Sequence, residues 1–534
     1  MITPRLKTHA LYLMMGFMVG LQPNYAQGKH PYASDQPMPI PKKFEIPGIR
    51  SAWHITFTPD GNTFYFVTGD SMEVIYSSHF QDGKWSVPKE TEFSGKYRIE
   101  TPSISPDGKK FFFAKAIVEN GQGTDDIYVM NKTESGWSEP TSIGSPVNGP
   151  RFDAGPSSSA NGNLYFFSTR DGRLQLYCSK FIDGKYSNPE ALDYNINKYT
   201  PLEPFVARDE SFILFGLQQG NNNNLHVSFF ENGSWTKPKN LGPKINFNEY
   251  QGRPCISPDG NYLFYTSGSS RDWIMSQYQV DIKPLLDSLR NDLEISAIVG
   301  KKQNLEQQTF IKLKGKTGNV KFLETPSWLK PFVKNIGADR IVTNTINTKG
   351  LKEGVYKAQV KLIAKGTDRK EYKYSVTLKL FEPRPAVQAK NLQKGLKYEY
   401  YEDTSFTKIP DFTKMKPLKA GVANQIDLSV KNRDTLYAIV YSGYINISQT
   451  ALYSFSMTSD DGSKLYIDDK LFIDNDGLHG PVEKTETSCL EKGMHKLRVE
   501  YIQSKLGANL ELTYEAMAIG MKAKIIPSDV LFHE

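Results

Sequence analysis

Five stretches in the first half of the 534-residue chain repeat one another, and no other feature limits its fold so tightly. They read WHITFTPDGNTFYFVTG, PSISPDGKKFFFAKA, PSSSANGNLYFFSTRDG, PFVARDESFILFGLQQG and PCISPDGNYLFYTSG. Their turn residues Asp60, Asp107, Asn161, Asp209 and Asp259 recur about every 50 residues, the spacing of propeller blades. A second motif keeps the same beat: DGKWSVP, ESGWSEP, DGKYSNP and NGSWTKP, centred on Trp85, Trp137, Tyr186 and Trp235. Each unit reads as a small-residue strand, a tight Asp-Gly or Asn-Gly turn, an aromatic strand and a third strand. The Trp-Pro segment suits a fourth strand at the outer edge, where a missing N–H is harmless. Four strands per unit, repeated radially, predict a five-bladed β-propeller, or six blades if a degenerate unit lies in the long connections. The fifth repeat lacks the Trp segment, and MPIPKKFEIP, ahead of the first repeat, is expected to replace it and close the ring.

These repeats resemble the WD40-like SPDG propellers of TolB-type periplasmic proteins and other secreted bacterial proteins, and residues 38–282 are assigned to such a domain. The start of each innermost strand is expected to line the mouth of the channel. His54, Glu100, Asp153, Glu203, Gln251 and Arg253 occupy those starts. Three readings stand for them: solvation of a wet funnel, a ligand site, or acid–base catalysis by His54, Glu100, Asp153, Glu203 and Arg253.

The bulk numbers fit a secreted, mostly β protein. Tyr (29) and Phe (30) are abundant, and 39% of residues are hydrophobic, enough for several cores. A net charge of +7 with no dense basic run predicts no nucleic-acid partner but suits an anionic polymer. Three distant cysteines exclude a disulfide scaffold or a zinc cluster. At the N-terminus, Arg5 and Lys7 precede the apolar run Ala10 to Leu21, and Ala26 offers a cleavage point. Residues 1–26 therefore read as a signal peptide, with a buried hairpin as the alternative, and no later segment reads as a membrane span. The expected location is secreted, periplasmic or at the cell surface.

Residues 283–304 read as a charged, helical linker. Residues 305–385 alternate as strands and predict a small Ig-like β-sandwich. Its PSWLK and GLKEGVYKAQVKL are similar to motifs of the BACON domains found in Bacteroidetes glycan-handling proteins. The plainer reading makes it a spacer with Trp328 in its core.

Residues 392–534 contain GLKYEYYEDTSFTKIPDF, SDDGSKLYIDDKLFID and CLEKGMHKLRVEYIQSKLGANLELTYE in that order. This order resembles the protective-antigen (PA14) domain, a β-barrel or sandwich module of toxins, adhesins and glycosidases. Asp460 and Asp461 sit side by side in a turn that needs short polar side chains and Gly462. In lectin members of that family the matching pair chelates Ca²⁺, and the ion holds sugar hydroxyls. The resemblance therefore implies Ca²⁺ on Asp460 and Asp461 and a glycan on Asp460, Asp461 and Asn509. Gln503 is a further oxygen donor in reach by sequence, and Asp468, Asp469, Asp474 and Asp476 add negative charge. A purely structural turn explains the pair equally well.

Three functions follow. The first is a secreted multimodular carbohydrate-binding protein, accessory to polysaccharide use, with the propeller as an interaction surface for a glycan or a protein. The second is an extracellular glycoside hydrolase or polysaccharide lyase acting at the propeller mouth, where His54 and Arg253 form a conceivable base and anion stabiliser. The third is a TolB-like periplasmic docking propeller.

Overall fold

The computed structural model describes residues 30–534 except 35, 69–72, 95–97, 120–121, 220–221, 232, 270–273, 302–304, 314–319, 337–338, 365–370, 404 and 506. The signal peptide expected at 1–26 lies outside the described residues. The described chain is almost entirely β, as the composition predicts.

Each repeat becomes one antiparallel four-stranded unit, and the turn explains why. In the first, Asp60 accepts the Asn62 amide (3.1 Å) and the Thr58 hydroxyl (2.6 Å), while Gly61 takes φ 72°. Asp107 and Asp259 repeat this with Ser105 and Ser257. In the fourth unit Glu210 replaces glycine in the left-handed region, at φ 59°. The innermost strands are Trp53–Phe57, Ile99–Ile104, Asp153–Ser158, Pro201–Val206 and Tyr250–Ile256. Each neighbours the next, and the fifth returns to the first, so the five units form a closed cycle. Closure uses the predicted segment: Lys42–Lys43 pairs antiparallel with Met275–Asp281 of the fifth unit.

The Trp segments do not form the outer edge. Lys84–Trp85 and Ser234–Trp235 fold back as hairpins on the third strand, and the outermost strands are the next two-residue segments, Lys89–Glu90 and Lys239–Asn240. The aromatic ring is needed between units instead. Trp137 of the second unit donates its indole N–H to the Tyr65 hydroxyl of the first (3.1 Å), and Trp235 of the fourth packs edge-on to Tyr165 of the third. The recurring aromatic is a wedge that buries one unit against its predecessor.

The segment 283–304 is a linker only in part. Lys283–Asn291 is helical, but Leu293–Ile298 runs parallel to Glu371–Phe381 as an edge strand of the next domain. That domain has one four-stranded and one three-stranded sheet around a core containing Trp328, 7% exposed. The C-terminal module packs an eight-stranded sheet and the four-stranded sheet Val482–Leu490, Ala451–Asp460, Asn509–Ala516, Met521–Ile525 around a tyrosine-rich core. The three cysteines are free and buried. Among the described residues no helix is long and apolar enough to cross a membrane.

Candidate functional site

The axis of the ring is built by one irregularity repeated in every unit. Each innermost strand carries a register shift: between Trp53 and Thr56, Glu100 and Ser103, Ala154 and Ser157, Leu202 and Phe205, and Gly252 and Cys255. At each shift one residue adopts positive φ: His54 (51°), Thr101 (55°), Gly155 (64°), Glu203 (52°) and Arg253 (55°). These five residues line a cavity of about 440 Å³. Four of them are not glycine, so the backbone strain there is of order 1–3 kcal/mol each. Gly155 has no alternative, because a Cβ on it would meet the Phe167 ring at 2.3 Å.

Three of the sequence candidates, His54, Glu203 and Arg253, thus converge. Glu203 accepts from Arg253 Nε (2.8 Å), the Arg253 amide (3.1 Å) and the Tyr250 hydroxyl (2.8 Å), and His54 Nε2 stands 3.9 Å from it. Burial, and then the Arg253 charge, hold the His54 imidazole well below its usual pKa, so it is neutral. Its Nδ1 is buried with no hydrogen-bond partner among the described residues.

The other three candidates lie off the cavity. Asp153 is fully buried, bonded to Arg170 (2.6 Å) and to the Gly149 amide (2.7 Å). Gln251 is also fully buried. Glu100 pairs with Arg98 (2.6 Å) and shares a proton with Glu73; burial first, then Glu73, raise its pKa. For Glu100, Asp153 and Gln251 the sequence reading was one or two residues out of register, because a bulge reverses which side chains face inward. A signal was present: Thr101, Gly155, Glu203 and Arg253 each precede a proline, a residue that sheets confine to edges and bulges.

At the other end of the molecule, Asp460 and Asp461 close the strand Ala451–Asp460, and the peptide bond between them is cis. Their roles differ. Asp461, 6% exposed, accepts the backbone amides of His479 (3.1 Å) and Ser504 (2.8 Å), tying two loops together. The Asp460 carboxylate receives no hydrogen bond from the described residues, and its Oδ2 faces the Gly507 backbone. Burial, then the Asp461 charge, push its pKa up to about 6, with His479 opposing. An unbonded, half-buried carboxylate beside a second one favours a cation. Asn509 is its cross-strand partner. Gly462 is required for a reason other than turn geometry: a Cβ there would lie 2.8 Å from the Gly477 carbonyl.

The wider acidic set does not converge on this loop. Asp468 is bonded to His495 (2.8 Å), Asp469 to Lys496 (2.6 Å) and Asp476 to Lys464 (2.9 Å), while Asp474 accepts the Asp476 amide. Gln503 is fully buried; its oxygen takes the Tyr501 hydroxyl (2.7 Å) and its amide holds the Lys505 and Gly507 carbonyls, so it shapes the loop. No group of three or more His, Cys, Asp or Glu able to hold a metal occurs among the described residues. The charged donors this loop could offer a hard cation are therefore the Asp460 and Asp461 carboxylates, and such an ion would need neutral oxygens besides.

Comparison with known proteins bears on this module. A 144-residue stretch is 28% identical to the anti-sigma-I factor RsgI3 of Acetivibrio thermocellus, covering 26% of this chain and 21% of that protein; the match thus spans about a fifth of the relative's length. Among solved structures, the PA14 sugar-binding domain from an RTX adhesin is 16% identical and covers 26% of this chain and 99% of that one, with TM-score 0.24. A putative TolB from Agrobacterium tumefaciens is 16% identical, covering 43% of this chain and 77% of that one, with TM-score 0.31. The family model described as the PA14 domain matches residues 392–528, so the C-terminal module of this chain is a PA14 domain.

Proposed function

We propose that this chain is a secreted carbohydrate-binding protein in which the PA14 module holds a sugar through Ca²⁺ at the Asp460–Asp461 loop. The ring, read as a five-bladed propeller, serves as an additional interaction surface. The observation that carries the reading is the Asp460 carboxylate, which receives no hydrogen bond among the described residues, lies beside the Asp461 carboxylate and sits opposite Asn509 in the strand register. A structural turn needs Asp461, whose oxygens pin two loops, but among the described residues gives the Asp460 side chain no hydrogen bond.

In this reading Asp460 and Asp461 hold the ion, Asn509 contributes to the glycan contact, and calcium when bound supplies open coordination positions for vicinal hydroxyls. Asp461 fixes the loop so that the donors are pre-positioned, and Gln503 keeps the opposite loop folded against it. Linking a sugar site to a second binding surface raises avidity for a repetitive polymer. The test is binding of the full-length protein to an immobilised glycan array, with calcium and with chelator. Spots that vanish with chelator and in Asp460→Ala support the reading. Spots unchanged in both remove calcium from it, and an array without spots removes the sugar.

A further inference from the structure

The ring docks on the PA14 module beside the Asp460 loop. The outward side chains of its four-stranded sheet form rows across the strands. Glu483, Thr458 and Glu511 make one row, and Ser454 with Glu515 lies four residues further back along the central strand. Two lysines of the ring grip this face. Lys198 reaches Glu483 at 2.6 Å, with both side chains largely buried, and Lys237 reaches Glu515 at 2.8 Å. Asp460 and Asn509 form the next outward row beyond Glu483, Thr458 and Glu511, about 7 Å further along the strand. The candidate cation site thus lies one row beyond the Lys198–Glu483 contact.

The ring element at that border is the short helix Tyr194–Asn197, which ends just before Lys198. Its neighbour Tyr199 is drawn against Glu483. Tyr194 instead stays 48% exposed, although it is one of the largest apolar side chains near the seam. It stands one helical turn before Lys198, whose amide donates to the Tyr194 carbonyl (2.9 Å), so its side chain shares a helix face with the lysine that grips Glu483. Asn195 fixes the helix by donating to the Trp235 carbonyl (3.1 Å). A half-exposed aromatic on a pinned support at this seam offers a flat face at low entropic cost.

We infer that the glycan site is composite: the PA14 loop holds one sugar unit, and Tyr194 of the repeat ring stacks on the units that follow it. The inference rests on the glycan reading above. It makes the ring a determinant of chain length, so the protein prefers oligomers of neutral sugars to their monomers. The PA14 module alone supplies the terminal contact.

Isothermal titration tests this with the full-length protein at saturating calcium, using glucose and galactose and their short β-linked oligomers as probes. Wild type is expected to bind at least one oligomer more tightly than its monomer. Tyr194→Ala is expected to lose roughly three- to tenfold on that oligomer, about 0.7–1.4 kcal/mol, and nothing on the monomer. Tyr194→Phe is expected to keep oligomer affinity, which separates stacking from damage to the seam. Equal oligomer affinity in wild type and Tyr194→Ala, or an equal loss on monomer and oligomer, overturns the composite site and leaves the calcium–sugar reading standing. Failure of wild type to bind any of these sugars counts against both.

Discussion

Asp460 and Asp461 are adjacent in sequence yet opposite in bonding: Asp461 accepts two backbone amides, whereas no donor reaches the Asp460 side chain among the described residues. One carboxylate builds the loop, and the other takes no part in building it among the described residues.

That division predicts different costs. Asp461→Ala strips the His479 and Ser504 amides of a charged acceptor and is expected to destabilise the protein by about 1–3 kcal/mol. Asp460→Ala removes a carboxylate that burial and Asp461 disfavour, and is expected to leave stability unchanged or raise it at neutral pH while abolishing cation binding. Urea unfolding in chelator checks both.

On the ring axis, Glu203 and Arg253 form a buried pair at 2.8 Å. Glu203→Gln leaves Arg253 without its counter-charge and is expected to cost roughly 3–5 kcal/mol. Tyr250→Phe removes one hydroxyl bond to the same carboxylate and is expected to cost about 1.5–3 kcal/mol. Urea midpoints at neutral pH measure both.

Glu100 gives a pH signature. Burial and Glu73 hold its proton above the ordinary carboxyl range, whereas against burial, hydrogen bonds from Glu100 and Arg98 keep Glu73 low. The folded state therefore binds a proton that the unfolded chain has already released, so stability falls as pH rises toward the raised value. Glu100→Gln removes the titration. Compared with wild type, it is expected to gain relative stability between about pH 5 and about pH 9, read from urea midpoints across that range.

The aromatic wedges predict cooperativity between units. Trp235, 4% exposed, lies between the third and fourth units. Its replacement by alanine is expected to cost about 3–5 kcal/mol and to broaden the transition monitored by circular dichroism, because two units lose their shared core.

Much of this was legible in the sequence. Asp or Asn turns announce the five units because a short side chain that bonds its own backbone and a following residue at positive φ are both local demands, met with glycine at Asp60–Gly61 and Asp107–Gly108. Trp85, Trp137 and Trp235 were equally visible, but their place was not, since whether an aromatic faces outward or between units depends on neighbours about 50 residues away. The axis was misread for a similar reason. A bulge moves Thr101 and Gly155 inward and leaves Glu100 and Asp153 outside the cavity, and only the prolines that follow betray it. In the C-terminal module the acidic pair stood out, yet the unequal bonding of its members arises from His479 and Ser504, both distant in sequence.

Calorimetric titration of calcium into the full-length protein tests the central claim most directly. One site is expected in wild type, with a dissociation constant on the order of 10⁻⁴–10⁻³ M, the range of extracellular calcium modules, and none in Asp460→Asn. Identical heats from wild type and Asp460→Asn, or no calcium uptake by wild type, would contradict it.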